Sequence, residues 1–144
     1  MKVQNYSNHR RYLFTYHFLT FLIILVLLIS SIYYSISMFL SHQSMKIWLF
    51  FVFNSLVLIS LFFHSRMFSL KAQDRAIRAE ENFRHYILTG KPLDSRLTTR
   101  QIIGLRFASD EEFPALAVRA VEENLSEDEI KRLVKKWRPD YYRV

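Results

Sequence analysis

The chain has 144 residues, 20 of them Lys or Arg and 13 Asp or Glu, for a net charge of +7. Apolar residues make up 51% and aromatic residues 16%, which excludes an intrinsically disordered chain. Two Gly, three Pro and no Cys exclude collagen, a disulfide framework, a thiolate metal centre and a cysteine nucleophile.

The charge is unevenly placed. No Asp or Glu precedes Asp74, and residues 1–73 hold only Lys2, Arg10, Arg11, Lys46, Arg66 and Lys71 as basic residues. Residues 74–144 are densely charged and nearly neutral. A membrane anchor followed by a water-exposed domain divides in this way.

The first predicted element covers residues 13–40, which contain no Asp, Glu, Lys or Arg. A transmembrane helix needs roughly 20 apolar residues to cross about 30 Å of hydrocarbon. The apolar region of a cleavable signal peptide is only about 7–15 residues long, so the length favours a span. His17 falls at the interfacial end. A second apolar run starts at Ile47 and reaches Phe63, and it predicts a span over 47–65 with Arg66 snorkelling. The connector Ser41–Lys46 is short and polar, which makes the spans an antiparallel hairpin. Lys and Arg flank both outer ends, so both termini are expected in the cytoplasm and the connector outside.

Lipid offers no partner to polar groups within the spans. Folding the hairpin about Gln43-Ser44 sets Asn54 opposite Tyr33, with Tyr34, Ser30 and Ser31 within a turn. These five residues are the candidates for an interhelical polar contact or, in an oligomer, for the lining of a transport path. Ser31 and Ser35 form a small-xxx-small pair that permits close helix approach.

A helix is predicted over 66–88. Phe68, Ala72, Ala76, Ala79, Phe83 and Ile87 recur at helical spacing as one apolar stripe, with Asp74/Arg78 and Glu80/Arg84 as ion pairs on the wet faces. Gly90 and Pro92 stop it. Three capping boxes follow, Thr98–Gln101, Ser109–Glu112 and Ser126–Glu129, and they open short helices over about 99–107, 110–125 and 127–137. Pro114 fits poorly in a helix begun at Asp110. The short helices are expected to close their core against the Phe68–Ile87 stripe, with Trp137 on the apolar face of the last one. The fold class is all-α: residues 1–65 are the N-terminal segment and transmembrane hairpin, and residues 66–144 are a small helical domain into which the second helix extends.

Reactive constellations are absent from the sequence. Gly90 and Gly104 make no phosphate loop. Glu81 and His85 share a helix face but lack further ligands. Asp110–Glu112 and Glu127–Glu129 each sit behind a Ser, where the helix dipole favours acids. No cofactor and no enzymatic activity are expected. The C-terminal Lys131, Arg132, Lys135, Lys136 and Arg138 are candidates for contact with anionic lipid headgroups. No recognition motif accompanies them, so nucleic acid is not an expected partner.

The segments Gln4-Asn5-Tyr6 with Asn8-His9, Leu70–Arg75, Leu105–Glu112 and Trp137–Tyr141 carry a resemblance. Through them the whole chain resembles a family of short bacterial membrane proteins of unknown function, domain-of-unknown-function family 6526. The resemblance implies two membrane spans and a bacterial source, and it brings no activity or site residue. The expected role is a non-enzymatic interaction or scaffold module of the bacterial cytoplasmic membrane. The alternative is a subunit of an oligomeric membrane transport assembly. The expected partners are the bilayer and either a second copy or another membrane protein.

Overall fold

The structure, a computed structural model, describes residues 4–9 and 13–141. Among them it holds five α-helices and no strand: α1 Phe21–Leu40, α2 Lys46–Thr89, α3 Thr99–Leu105, α4 Phe113–Glu122 and α5 Glu127–Leu133. A π-helical stretch, Thr15–Thr20, leads into α1. The chain divides into two compact units, one of residues Arg11–Phe68 and one of Met1–Arg10 with Ser69–Val144. Gln4–His9 thus group with the C-terminal domain and not with the hairpin.

Two helices, Thr15–Leu40 in the first unit and Lys46–Thr89, which begins in it, are long and apolar enough to cross a membrane. Tyr16 stacks on Phe62 and Tyr34 on Trp48, each with ring centroids 4.5 Å apart, so the helices run antiparallel. The buried positions of the hairpin are Ile24, Ser31 and Ser35 on α1 and Ser55 on α2. Each of these serines donates its hydroxyl to the carbonyl four residues earlier on its own helix. The seam therefore gains close approach from small residues without leaving a polar group unpaired. The register differs from the one expected. Tyr34 would have faced Phe53 but meets Trp48, more than a turn away along α2.

The second unit builds its core from α3, α4 and α5. Leu97, Ile102, Leu105, Ala108, Phe113, Leu116, Ala117, Ala120, Ile130 and Val134 form one buried cluster. Thr98 and Ser126 each complete a capping box, with Gln101 and Glu129 reaching back, as the sequence predicts. The third box is different. The Ser109 hydroxyl accepts from the Glu112 amide at 3.4 Å, but the Glu112 carboxylate turns away to accept from the Lys135 and Lys136 amides. A turn occupies 109–112, and α4 begins at Phe113, which puts Pro114 in the first turn, where its missing N–H costs nothing.

Two further expectations are corrected. Helix α5 ends at Leu133 because Val134 is extended, so Trp137 lies beyond the helix in a short bridge to Ala108. The domain also does not close against the Phe68–Ile87 stripe, since Phe68, Phe83 and Ile87 are exposed. The face of α2 turned to the domain carries Ile77, Glu81, Arg84 and His85 instead. Arg84 is held by Asp110, by the Ala108 carbonyl and over the Phe113 ring, so it is not the wet-face partner of Glu80. Hydrogen bonds outweigh apolar pairing here because half-buried Arg84 and buried Glu81 must find partners. The helix stops at Gly90, whose φ of +72 suits glycine and whose amide donates to the Tyr86 carbonyl at 2.8 Å.

Candidate functional site

The ends of the chain clasp each other within the second unit. Gln4 is buried and makes a reciprocal pair with the Asp140 backbone: Asp140 N–H donates to Gln4 Oε1 at 2.7 Å, and Gln4 Nε2 donates to the Asp140 carbonyl at 3.3 Å. A short Asn5–Asn8 turn then shapes the segment. The Asn5 side chain accepts from Ser7 and Asn8 amides, and Asn8 Oδ1 accepts from the Asn5 amide. That turn aims Tyr6 and His9 at the domain.

His9 is buried against Phe107 and Trp137, with ring centroids 5.8 and 5.9 Å away. Its Nδ1 lies 2.6 Å from the Tyr6 carbonyl, which can only accept, so Nδ1 carries the proton. Nε2 then accepts from Lys131 Nζ at 3.4 Å. Phe107, fully buried, is the hub: Trp137 packs on it at 4.7 Å and Arg106 lies over it at 4.5 Å. The Arg138 amide donates to the Phe107 carbonyl. Tyr6 donates its hydroxyl to Asp128 at 2.6 Å, a bond that holds that carboxyl below its ordinary range. Arg132 donates to the same hydroxyl.

Beside the clasp, a groove of about 560 Å³ is lined by Gln73, Glu81, Arg106, Arg138, Asp140 and Tyr141 among others. Glu81 is buried there, and loss of water raises its pKa although Arg84 at 2.9 Å and Arg138 at 3.4 Å oppose the shift. Arg106, also buried, approaches Asp140 at 3.4 Å.

The sequence pattern of a family of unknown function, DUF6526, matches residues 1–144. The chain belongs to DUF6526. A search of curated proteins and one of solved structures each find no match. The four segments that carry the resemblance to DUF6526 meet here, since Gln4–His9, Leu105–Glu112 and Trp137–Tyr141 form the clasp and Gln73 borders its groove. The sequence reading missed Gln4, Tyr6 and His9 as packed residues. The available signal was a short stretch rich in polar and aromatic groups ahead of the first apolar run.

The residues singled out beforehand are distributed as follows. Ser31 is buried in the hairpin and Ser30 bonds its own helix. Tyr33 and Tyr34 touch edge to face. Asn54 is exposed, one position off the buried Ser55, and among the described residues no hydrogen bond joins it to the serines or tyrosines. Of the basic residues, Lys131 pairs with Glu127, Arg132 with Asp128, Lys136 with Glu111 and Arg138 with Glu81. Lys135 is exposed, and no such pair forms to it among the described residues. Glu81 and His85 do not converge on one point: His85 Nδ1 donates to the Lys91 carbonyl at 2.8 Å.

Proposed function

We propose that the protein is a non-enzymatic, membrane-anchored interaction or scaffold module of the bacterial cytoplasmic membrane, crossing it twice with both ends in the cytoplasm. The clasp carries this reading. Gln4–His9 precede the first apolar helix and Trp137–Asp140 follow the second, so their contact requires both ends on one side. An even number of spans meets that requirement. The Lys and Arg residues that flank the outer ends favour the cytoplasmic side. The outward positions of both apolar helices, among them Leu22, Ile29, Phe53 and Leu61, are exposed, as lipid-facing positions of an anchor are.

The chain has no Cys, which makes labelling direct. Single cysteines at Ser44 in the connector and at Ser95 in the loop before α3 are to be challenged in intact cells with a membrane-impermeant thiol reagent. Ser44→Cys reacts and Ser95→Cys reacts only after the cells are opened. Labelling of Ser95→Cys in intact cells overturns the orientation, and recovery of the unmodified protein in the soluble fraction overturns the anchor.

A further inference from the structure

The apolar stripe expected to face the core is left over by the fold. Phe83, Tyr86 and Ile87 are 65, 54 and 66% exposed, and Ala72, Ala76 and Ala79 are exposed with them. On a helix that turns about 100° per residue, this stripe lies opposite Ile77 and Glu81, the positions that the domain covers. The two faces of this part of α2 are therefore used differently: one holds the domain, and the other is open.

We infer that the open face pairs two copies of this chain through parallel α2 helices. Ala72, Ala76, Ala79, Phe83 and Tyr86 follow the alternating four-and-three spacing of a heptad seam. The three alanines let the backbones approach, and Phe83, Tyr86 and Ile87 supply the area. The flanks identify the occupant. Arg75 borders the seam on one side and Glu80 on the other, both exposed and outside the ion pairs that the domain makes among the described residues. In a parallel pair, each such flank meets the opposite flank of the other helix five residues on, which sets Arg75 against Glu80 of the second copy, twice by symmetry. An antiparallel pair would set like against like. The stripe is complementary to itself in one orientation only.

The inference rests on the membrane reading in one respect. Two heptads alone are short for a stable coiled coil, and anchoring both copies the same way up in one bilayer supplies the orientation and raises the effective concentration.

Ala79→Cys and Arg78→Cys are to be oxidised in native membranes, with a carbonate extraction of the same membranes run alongside. Ala79→Cys gives a covalent dimer and Arg78→Cys, off the seam, does not. Adding Arg75→Glu to Ala79→Cys removes the dimer, and adding Glu80→Arg as well restores it. No dimer from a carbonate-resistant Ala79→Cys chain overturns the pairing and leaves the membrane reading intact. Equal dimer from Arg78→Cys overturns it too, and failure of the double charge swap to restore the dimer overturns the parallel register. Release by carbonate overturns the membrane reading, while the cross-link still reports on the face.

Discussion

Replacing Gly104 by Ala tests how closely α3 approaches α5. Glycine inside a helix ordinarily costs about 1 kcal/mol relative to alanine, so an open site would gain that much. At Gly104 a Cβ would lie 3.0 Å from the Glu127 carbonyl oxygen and 3.2 Å from Cβ and Cγ2 of Ile130. Ile130 is fully buried and Glu127 belongs to the first turn of α5, so neither is a free end that swings aside. Overpacking a filled core costs about 1–3 kcal/mol. Set against the propensity gain, Gly104→Ala should lose roughly 1 kcal/mol, and up to about 2 if α5 must shift. The assay is urea unfolding of the full chain in detergent, in a Trp48→Phe background so that Trp137 alone reports on the domain. Gly90→Ala is the counterpart. Nothing lies within 4 Å of its Cβ, and its cost comes from φ +72 alone, about 1–2 kcal/mol. A Gly104→Ala chain as stable as the parent, or more so, refutes the close approach.

Trp137→Ala removes a half-buried ring from Phe107 and His9, so about 2 kcal/mol, less than the full-burial value, should be lost in urea unfolding followed by circular dichroism in place of Trp fluorescence. An unchanged midpoint would detach Trp137 from the core. Gln4→Ala leaves the Asp140 amide and carbonyl without their partner, and hydrogen exchange at 137–141 should rise by an amount equivalent to about 1–3 kcal/mol. Unchanged protection would mean that the clasp holds without Gln4. Burial lifts the Glu81 carboxyl above 4.5, so the folded chain keeps a proton that the unfolded chain has released. Its stabilising contribution is therefore present below that pH and lost as pH rises through the raised value. The stability of Glu81→Gln relative to the parent should improve from about pH 4 to about pH 7, and a constant difference refutes the shift.

What the sequence made legible was local or global in extent, and what it hid lay between. The apolar runs, the stop at Gly90 and the capping boxes at Thr98 and Ser126 depend on residues a few positions apart, and they appear where expected. The stripe on α2 was legible as a stripe, but periodicity does not say which face meets the domain. Arg84 decided that by reaching Asp110 and the Ala108 carbonyl, partners 26 and 24 residues away. The apolar spacing of Ile130, Leu133 and Val134 runs on to Trp137 in helical phase, yet Glu112 captures the Lys135 and Lys136 amides and pulls that stretch out of the helix. The clasp was hidden most completely, because Gln4 and Asp140 stand 136 residues apart and neither is apolar.

That separation fixes an order of events. Gln4, Tyr6 and His9 are made before both apolar helices, and Phe107, Asp128, Trp137 and Asp140, which receive them, are made after both. Until Asp140 is made the leading segment lacks its full docking place, and both apolar helices pass before then. Closing so long a loop is slow relative to local helix formation, so the clasp sets after everything else. A chain cut just before Trp137 would keep its hairpin and its helices, but Gln4 would lose the Asp140 backbone and His9 the Trp137 ring. The contact thus marks a domain that has gathered segments from both sides of the hairpin.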